Sequence, residues 1–247
     1  MASTLLRWVR CFLYPQVCCL CGRWVNFEDP RPLCGPCLTS LQKLDGPLCP
    51  VCGIPVPSDI LGVGFLCSKC RECIPLFDKA RAWGQYGGAL RKLIHGFKFE
   101  GLRRLDTPLG DLIDEVFEEH FIEDRPEILV PVPIHRRRLR ERGYDQTLLL
   151  AKRLARLRGL PLDRSTRRRR HTVPQFGLDL AARRRNLRGA FSGEAARALR
   201  GRRILIIDDV MTTGTTVTEL GRTIRSAAHP KWMGVLTLAR VLHDGKH

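Results

Sequence analysis

The sequence contains no cysteine after Cys73: all eleven cysteines of the chain lie at or before that position. This absence divides the 247 residues into a cysteine-rich N-terminal part and a cysteine-free remainder, and one or two domains are expected at this length. An odd cysteine count with repeated C-x2-C spacing favours bound metal over a disulfide framework. The cysteine usage therefore predicts a reducing, cytoplasmic location.

Acidic residues are also few: 25 Asp and Glu stand against 42 Lys and Arg, which gives a formal net charge of +17. This balance favours polyanionic partners such as phosphorylated sugars, nucleic acid or an anionic membrane surface, and a merely solvated basic surface is the alternative. Aromatic residues make up only 7% of the chain and are few in its arginine-rich stretches. Their scarcity weakens the case for single-stranded DNA whose bases stack there.

The N-terminal segment lacks the length needed to cross a membrane. Residues 1–15 are rich in apolar side chains, but Arg7 and Arg10 interrupt them, and no small-residue cleavage site follows. We expect an amphipathic segment that packs on the rest of the protein; contact with a membrane surface is the alternative. The sequence therefore predicts a protein without a transmembrane segment.

Residues 16–75 carry four C-x2-C pairs. Two such pairs supply the four thiolates of a closed tetrahedral shell, so four pairs predict two structural zinc ions and no catalytic one. The metal would contribute much of the folding free energy, because this segment has little apolar core of its own. Cys73 is an alternative ligand to Cys67 or Cys70, since Cys70 and Cys73 repeat the spacing. The simplest pairing is sequential, with Cys18, Cys21, Cys34 and Cys37 for one ion and Cys49, Cys52, Cys67 and Cys70 for the other.

Residues 76–247 show an alternation of strand and helix patterns that predicts an α/β fold with a parallel sheet. The most apolar strands, at 127–132 and from Arg203 onward, are expected to be buried on both faces. A further strand is expected at 79–86, and the last strand, at 232–241, is expected to cover an edge of the sheet.

The strand that begins at Arg203 leads into two adjacent acids and a threonine-rich loop, in the sequence IIDDVMTTGTTV. A strand, a loop of small hydroxyl residues and a helix N-terminus form a phosphate site, because free backbone N–H groups and the helix dipole favour an anion. Gly214 lets the backbone approach that anion closely. Asp208 and Asp209 suit ribose hydroxyls, or Mg²⁺ carried by a diphosphate. The pattern predicts a phosphorylated ribose; an ordinary turn with a threonine N-cap is the alternative.

Strand 127–132 leads through an arginine-bearing loop at 133–146 to another helix N-terminus, which predicts a second anion site at the same edge of the sheet. Arg142 and Gly143 are the candidate residues, whereas a solvated basic turn is the preferred interpretation for any single other arginine of the loop. Residues 163–190 are expected to form a mobile basic connection. Such a connection fits a lid over a diphosphate or a strip that follows a nucleic-acid backbone.

The run ILIIDDVMTTGTT resembles the signature with which type I phosphoribosyltransferases bind 5-phosphoribosyl-1-diphosphate (PRPP). The resemblance implies that Asp208 and Asp209 are the acids of the catalytic site, holding the ribose 2′ and 3′ hydroxyls. It implies that the loop with Arg142 and Gly143 holds the diphosphate and that PRPP arrives with Mg²⁺. The residues that it assigns to the 5′-phosphate are Thr212, Thr213, Gly214, Thr215 and Thr216.

The segments PVPIHRRRLRERGYDQ, RRRHTVPQFGLDLAARRRNLRGAF and DDVMTTGTT resemble, in order and spacing, the ComF family of competence-associated, phosphoribosyltransferase-like proteins. The resemblance covers nearly the whole chain and implies a double zinc ribbon at 16–75 before a phosphoribosyltransferase-like domain at 76–247. It implies a cytoplasmic protein linked to the uptake or use of external DNA, with DNA-uptake machinery as a partner. Asp145 departs from the family, which usually has Asn there; near a diphosphate this carboxylate would be repulsive unless a metal ion lies between. The middle segment matches the family at Arg168, Thr172, Gln175, Leu178, Arg183, Asn186 and Phe191.

Two functions compete on these grounds. The first is an enzyme that binds PRPP–Mg²⁺ and transfers ribosyl-5-phosphate to an acceptor that the sequence does not name. The second is a non-catalytic protein that binds single-stranded DNA or senses PRPP; a zinc-ribbon adaptor for a partner protein is a further alternative. The complete phosphate loop favours the enzyme.

Overall fold

The computed structural model describes residues 17–25, 32–57, 65–170, 185–193 and 196–242. The amphipathic segment predicted at residues 1–15 lies outside this part of the chain. Every helix within it is too short or too polar to span a bilayer.

The described strands belong to two sheets, a parallel one and a small antiparallel one. In chain order they are β1 (Lys79–Gln85), β2 (Ile128–Pro131), β3 (Arg167–Arg168), β4 (Phe191–Ser192), β5 (Arg203–Met211) and β6 (Trp232–Arg240). The parallel sheet has the spatial order β1–β6–β5–β2, and β3 pairs with β4 in the antiparallel one. The predicted α/β fold with a parallel sheet is confirmed.

The last strand, β6, lies inside the sheet between β1 and β5, so its predicted position at a sheet edge is wrong. From Met233 to Arg240 every residue of β6 is buried, because the strand is paired on both sides and covered on both faces. The edge strands are β1, next to β6, and β2 on the opposite side. The N-terminal part of the chain covers the β1 edge in part, since Lys43 forms an antiparallel bridge with Gly84.

The α-helices that lie entirely within the described residues are α1 (Gly35–Thr39), α2 (Ser68–Glu72), α3 (Gly88–Phe99), α4 (Asp106–His120), α5 (Arg136–Arg142), α6 (Gln146–Arg158) and α7 (Thr215–Ala228). Helix α5 occupies residues that were expected to form a loop. His135 Nδ1 accepts a hydrogen bond from the Arg137 N–H at its start. Gly143 ends it in the left-handed conformation, at φ 76°, which favours glycine.

The basic connection predicted at 163–190 is structured at both of its ends, and residues 171–184 lie outside the described part. Its first end contributes β3, which pairs with β4. At its other end Leu187 is fully buried, and the Gly189 N–H donates to Glu219 Oε1 at 2.8 Å. These contacts tie the connection to α7 at one end and to the antiparallel ladder at the other.

The parallel sheet separates two apolar cores, as the alternation of side chains along a strand requires. On β5, Leu205 and Ile207 pack with the core formed by α3, α4 and α6. Ile204 and Ile206 pack with the core that contains α7. Because helices cover both faces, ligands can reach the sheet at the carboxyl ends of its strands.

The N-terminal cysteine-rich part docks on β1 and β6. The Ala80 N–H donates to the Val51 carbonyl at 2.6 Å, and Arg240 Nη1 donates to the Cys52 carbonyl at 2.7 Å. Cys18 belongs to the core of α3 and α4, whereas Cys52 belongs to the core of α7. The two cysteine groups therefore lie against opposite faces of the sheet. The domain boundaries at residues 15 and 75 stay a prediction.

Candidate functional site

Two adjacent acids lie at the carboxyl end of β5. Asp208 and Asp209 are only 9% and 5% exposed. The Asp208 side chain accepts a hydrogen bond from the Asp209 N–H at 2.9 Å. Burial raises the pKa of Asp208 to about 7, and the negative charge of Asp209 acts in the same direction. This end of the strand therefore holds two carboxyl groups in a confined space, one of which gains a proton near neutral pH.

Both oxygens of Asp209 have partners from other elements. Lys98 Nζ, at the end of α3, lies 2.7 Å from Asp209 Oδ1, and Gln146 Nε2, at the start of α6, donates to Oδ2 at 3.1 Å. Neither Lys98 nor Gln146 is among the site residues that the sequence predicts. Gln146 stands within the RGYDQ segment, which hinted at its importance, whereas no sequence pattern links Lys98 to Asp209.

The threonine-rich loop lies directly beyond these acids and opens helix α7. Gly214 occupies the N-cap position with φ 77°, so it offers the first turn of α7 no capping side chain. Thr213 Oγ1 and Thr215 Oγ1 lie 2.7 Å apart across the glycine. A Cβ atom at Gly214 would lie 2.9 Å from Met211 Cε, closer than real Cβ contacts. The loop thus opens α7 with a glycine between two threonine hydroxyls that lie close to each other.

The structure brings Arg142 to the same acids. Burial lowers the pKa of the Arg142 guanidinium, and the charge of Asp209 opposes that effect. Arg142 Cζ lies 4.8 Å from the ring centre of Phe99, which follows Lys98 on α3 and is 63% exposed. Gly143 ends α5 beside it, so the predicted pair Arg142 and Gly143 is positioned by a helix end and not by an open loop.

Asp145 caps helix α6. Its Oδ1 accepts from the Leu148 N–H at 3.0 Å and from the Thr147 hydroxyl at 2.9 Å. A carboxylate is favourable at this position, because the helix start carries partial positive charge. The sequence predicts that the start of α6 binds an external anion. In the structure the carboxyl group of Asp145 occupies this helix start.

The eight predicted zinc ligands form two clusters with the sequential pairing. Within each cluster the sulfur atoms lie within 4.8 Å of one another. The Cys21–Cys34 and Cys52–Cys67 sulfur pairs are both 3.6 Å apart, close to the edge of about 3.8 Å that a zinc tetrahedron with bonds of about 2.3 Å requires. The clusters are Cys18, Cys21, Cys34 and Cys37, and Cys49, Cys52, Cys67 and Cys70.

The backbone around one cysteine of each cluster favours a thiolate, whereas burial raises the pKa of Cys52 to about 11. Burial acts to raise the pKa of Cys18, but hydrogen bonds from the amides of Cys34, Leu20 and Cys21 lower it to about 6. Cys49 shows the same balance, with a pKa of about 7. Such amide-to-sulfur bonds orient metal-binding thiolates. Both clusters fit a structural zinc ion, whose closed thiolate shell leaves no position for a substrate.

Comparison with known proteins supports both halves of this description. A family model described as a double zinc ribbon domain matches residues 9–74, and one described as a phosphoribosyl transferase domain matches residues 147–247. Competence protein F of Haemophilus influenzae is 33% identical over 199 residues, which cover 78% of this chain and 84% of that protein. The chain belongs to the ComF family.

Other ComF relatives extend over a similar length. DNA utilization protein YhgH of Escherichia coli is 31% identical over 218 residues, with 84% of this chain and 90% of that protein covered. Competence protein ComFC of Bacillus subtilis is 26% identical, with 86% of each chain covered. A solved purine phosphoribosyltransferase from Pyrococcus horikoshii is 19% identical, with a TM-score of 0.34, and covers 54% of this chain and 75% of that one. The predicted ComF family and its double zinc ribbon are confirmed.

Proposed function

We propose that this ComF protein binds PRPP as its Mg²⁺ complex and transfers the 5-phosphoribosyl group to an acceptor. The observation that carries the proposal is the continuity of β5 and α7, along which two buried carboxyl groups are followed by a helix start opened by Gly214. Carboxylates accept hydrogen bonds from ribose hydroxyls, and helix-start amides donate to a phosphate. Both ends of a ribose 5-phosphate therefore find matching groups.

The neighbouring cations support a diphosphate on the same ligand. Arg142 interacts electrostatically with Asp209, and Lys98 is ion-paired with it. Arginine forms bidentate hydrogen bonds with phosphate oxygens, which suits a leaving diphosphate. Carboxylate oxygens are also the ligands that Mg²⁺ prefers, so Asp208 and Asp209 suit the ion that PRPP carries. The two zinc clusters have a structural role in this proposal.

In the proposed reaction a nucleophilic atom of the acceptor forms a bond to ribose C1. The bond between C1 and the diphosphate oxygen breaks, and its electron pair leaves with the diphosphate. The protein contributes chiefly by positioning the sugar and by stabilising the charges that develop on the sugar and the leaving group. In this proposal the Lys98 ion pair fixes the position of the Asp209 carboxylate at the end of β5.

Isothermal titration of the zinc-loaded protein with PRPP and Mg²⁺ tests the proposal. We expect binding by the wild-type protein and its loss when Asp208→Asn and Asp209→Asn are combined, because neutral amides are weaker acceptors for hydroxyls and metal. Asp45→Asn, which changes an exposed acid, is the matched control and should bind PRPP normally. Unchanged affinity of the double variant for PRPP would contradict the proposal. Diphosphate release on the same sample then separates an enzyme from a PRPP sensor.

Single-stranded DNA binding is the second candidate function. Helix α5 exposes Arg136, Arg137 and Arg140, and the exposed ring of Phe99 stacks against Arg142 at its end. A row of arginines beside an exposed aromatic ring suits a phosphate backbone with an unstacked base. The competence and DNA-utilization names of the relatives support a link to external DNA and its uptake machinery. The cysteine thiolates favour a reducing cytoplasm for either function.

Fluorescence anisotropy with a labelled oligonucleotide at several salt concentrations tests this second function. Arg136→Gln with Arg140→Gln should reduce the slope of log affinity against log salt by roughly one to two, since each phosphate contact releases about one counterion. Arg91→Gln with Lys92→Gln, which removes two exposed cations from α3, is the charge-matched control. Affinity that does not respond to salt would argue against a DNA-binding surface.

A further inference from the structure

A cavity of about 200 Å³ lies between α5, the end of β2 and the chain that leads into β3. Its apolar wall includes Pro131, Ile134 and Leu148. Its polar lining consists of Arg136, Asp145, Arg164, Thr166, Arg167 and Arg168. The cavity thus combines an apolar wall with four cations, one carboxyl group and one hydroxyl group.

The hydroxyl group of Thr166 has no partner among the described residues. Thr166 is 4% exposed, and its Oγ1 makes no hydrogen bond within that part of the chain. A buried polar atom without a partner is unfavourable, because it has given up its hydrogen bonds to water. A threonine that faces a cavity in this state indicates that a ligand completes its hydrogen bonding.

The carboxyl group of Asp145 uses only part of its hydrogen-bonding capacity in contacts with other residues of the protein. Both of its hydrogen bonds, from the Leu148 N–H and the Thr147 hydroxyl, go to Oδ1. An ionised carboxylate has about four acceptor positions on two oxygens. Within the described residues Oδ2 accepts no hydrogen bond, so Asp145 can cap α6 and still accept from a molecule in the cavity.

The cations link the cavity to the candidate PRPP site. Arg168 carries an attractive interaction with Asp208, and burial together with repulsion from Arg138 lowers its pKa to about 10. On the other side, the charge of Asp145 interacts with that of Asp209 and with that of Arg164. The four arginines of the lining outnumber its one carboxyl group, and this excess of positive charge favours an anionic ligand.

We infer that this cavity binds a small molecule that carries a carboxylate and an N–H donor on one apolar frame. The carboxylate would face Arg168 and its neighbouring arginines, and the N–H group would donate to Asp145 beside Thr166. An apolar frame such as an aromatic ring would contact Ile134 and Leu148. The size agrees, since a cavity of about 150 Å³ holds benzene.

This molecule is the acceptor of the proposed transfer, and that assignment, unlike the binding itself, rests on the proposed function. Its nitrogen would form the bond to ribose C1 while the C1–O bond to diphosphate breaks and the electron pair leaves with diphosphate. The proton of the nitrogen would pass to Asp145. Burial raises the pKa of this carboxyl group, which makes it a stronger base than an exposed aspartate.

Calorimetric titration with four probes, without PRPP, tests the binding site. The probes are 2-aminobenzoate, which carries both groups; benzoate, which lacks the N–H group; aniline, which lacks the carboxylate; and inorganic diphosphate. We expect 2-aminobenzoate to bind at least about 10-fold more tightly than benzoate or aniline, since one hydrogen bond to a charged group contributes about 1.5–3 kcal/mol. Equal affinities, binding of diphosphate alone, or no binding of any probe would overturn the inference.

Two substitutions assign the binding to this cavity. Asp145→Asn keeps a cap for α6 and should remove the preference for 2-aminobenzoate over benzoate. Thr166→Val should weaken 2-aminobenzoate binding about 3- to 10-fold without lowering the melting temperature, because the hydroxyl has no partner to lose. Thr223→Val, whose hydroxyl donates to the Glu219 carbonyl outside the cavity, is the matched control. Wild-type affinity for 2-aminobenzoate in Thr166→Val, together with wild-type preference in Asp145→Asn, would place the binding elsewhere.

A third variant keeps this inference separate from the proposed function. Asp208→Asn combined with Asp209→Asn should abolish PRPP binding and leave binding of 2-aminobenzoate within about 3-fold of wild type. If PRPP does not bind to the wild-type protein but the probe does, the cavity site stands and its role as acceptor site fails. If PRPP binds and no probe does, the cavity inference fails and the proposed function stands.

Discussion

Lys98 Nζ lies 2.7 Å from Asp209 Oδ1, so the end of α3 supplies the positive charge that pairs with a buried acid of β5. The side chains of Lys98 and Asp209 are only 18% and 7% exposed. A pair this deeply buried differs from surface ion pairs, because either partner left alone would be a charge without its counter-ion in a poorly solvated place.

We therefore predict that Lys98→Met destabilises the protein and weakens PRPP binding. The expected loss is about 3 kcal/mol, which corresponds to a decrease of roughly 10 °C in melting temperature for a domain of this size. Lys92→Met, which removes an exposed cation from the same helix, is the control and should change the melting temperature little. Equal melting temperatures for the two variants would mean that Asp209 does not need Lys98.

The pKa of Asp208 predicts a specific dependence of stability on pH. In the folded protein this pKa is raised to about 7, against 3.8 for an ordinary aspartate. The folded state thus holds a proton that the unfolded state releases, so the contribution to stability is full below about pH 4 and is lost as pH rises through 7. Melting temperature measured from pH 5 to 8 should fall more in the wild-type protein than in Asp208→Asn.

If the melting temperatures of the wild-type protein and of Asp208→Asn changed in parallel with pH, the raised pKa of Asp208 would be contradicted. The same proton should affect the ligand, because ribose hydroxyls and Mg²⁺ favour the ionised carboxylate. We expect the affinity for PRPP–Mg²⁺ to increase between pH 6 and 8. The increase should be absent in Asp208→Asn, where no proton has to be released.

Zinc stoichiometry distinguishes the ligand sets that the sequence left open. Plasma emission spectrometry of purified protein should find two zinc ions per chain, in agreement with the two clusters. Cys21→Ser and Cys67→Ser should each reduce this number to one, because a three-thiolate site binds zinc far more weakly. Cys73→Ser should keep both ions, since Cys73 belongs to neither cluster. Loss of zinc in Cys73→Ser would restore Cys73 as a ligand.

Gly214→Ala should destabilise the protein more than the same substitution at another glycine of similar φ. A Cβ there would lie 2.9 Å from Met211 Cε, whereas Gly101, with φ 68°, has open space around it. Gly101→Ala should cost about 1–2 kcal/mol from its conformation alone, and Gly214→Ala should add a steric cost and reduce PRPP affinity. Chemical denaturation and titration measure the two effects, and matching results for both variants would exclude a special role for Gly214.

Several features followed from the sequence because their causes are local or nearly so. The apolar run from Arg203 into the acids, with Gly214 and the threonines after it, specifies a buried strand, a tight turn and a helix start whatever surrounds it. The C-x2-C pairs specify two four-thiolate groups through their spacing alone, and the sequential pairing agrees with the two clusters. The order of motifs was sufficient to recognise the ComF family.

Tertiary structure decided what depends on distant residues meeting. The position of β6 inside the sheet follows from its pairing with β1 on one side and β5 on the other, and its own pattern does not specify those partners. Lys98 and Gln146 reach Asp209 only because α3, α6 and β5 converge at one edge of the sheet. Likewise, the unpartnered hydroxyl of Thr166 has no sequence pattern, because a missing hydrogen bond exists only once the chain has enclosed the atom. The sequence determined which chemical groups are present, and the fold decided which of them act together.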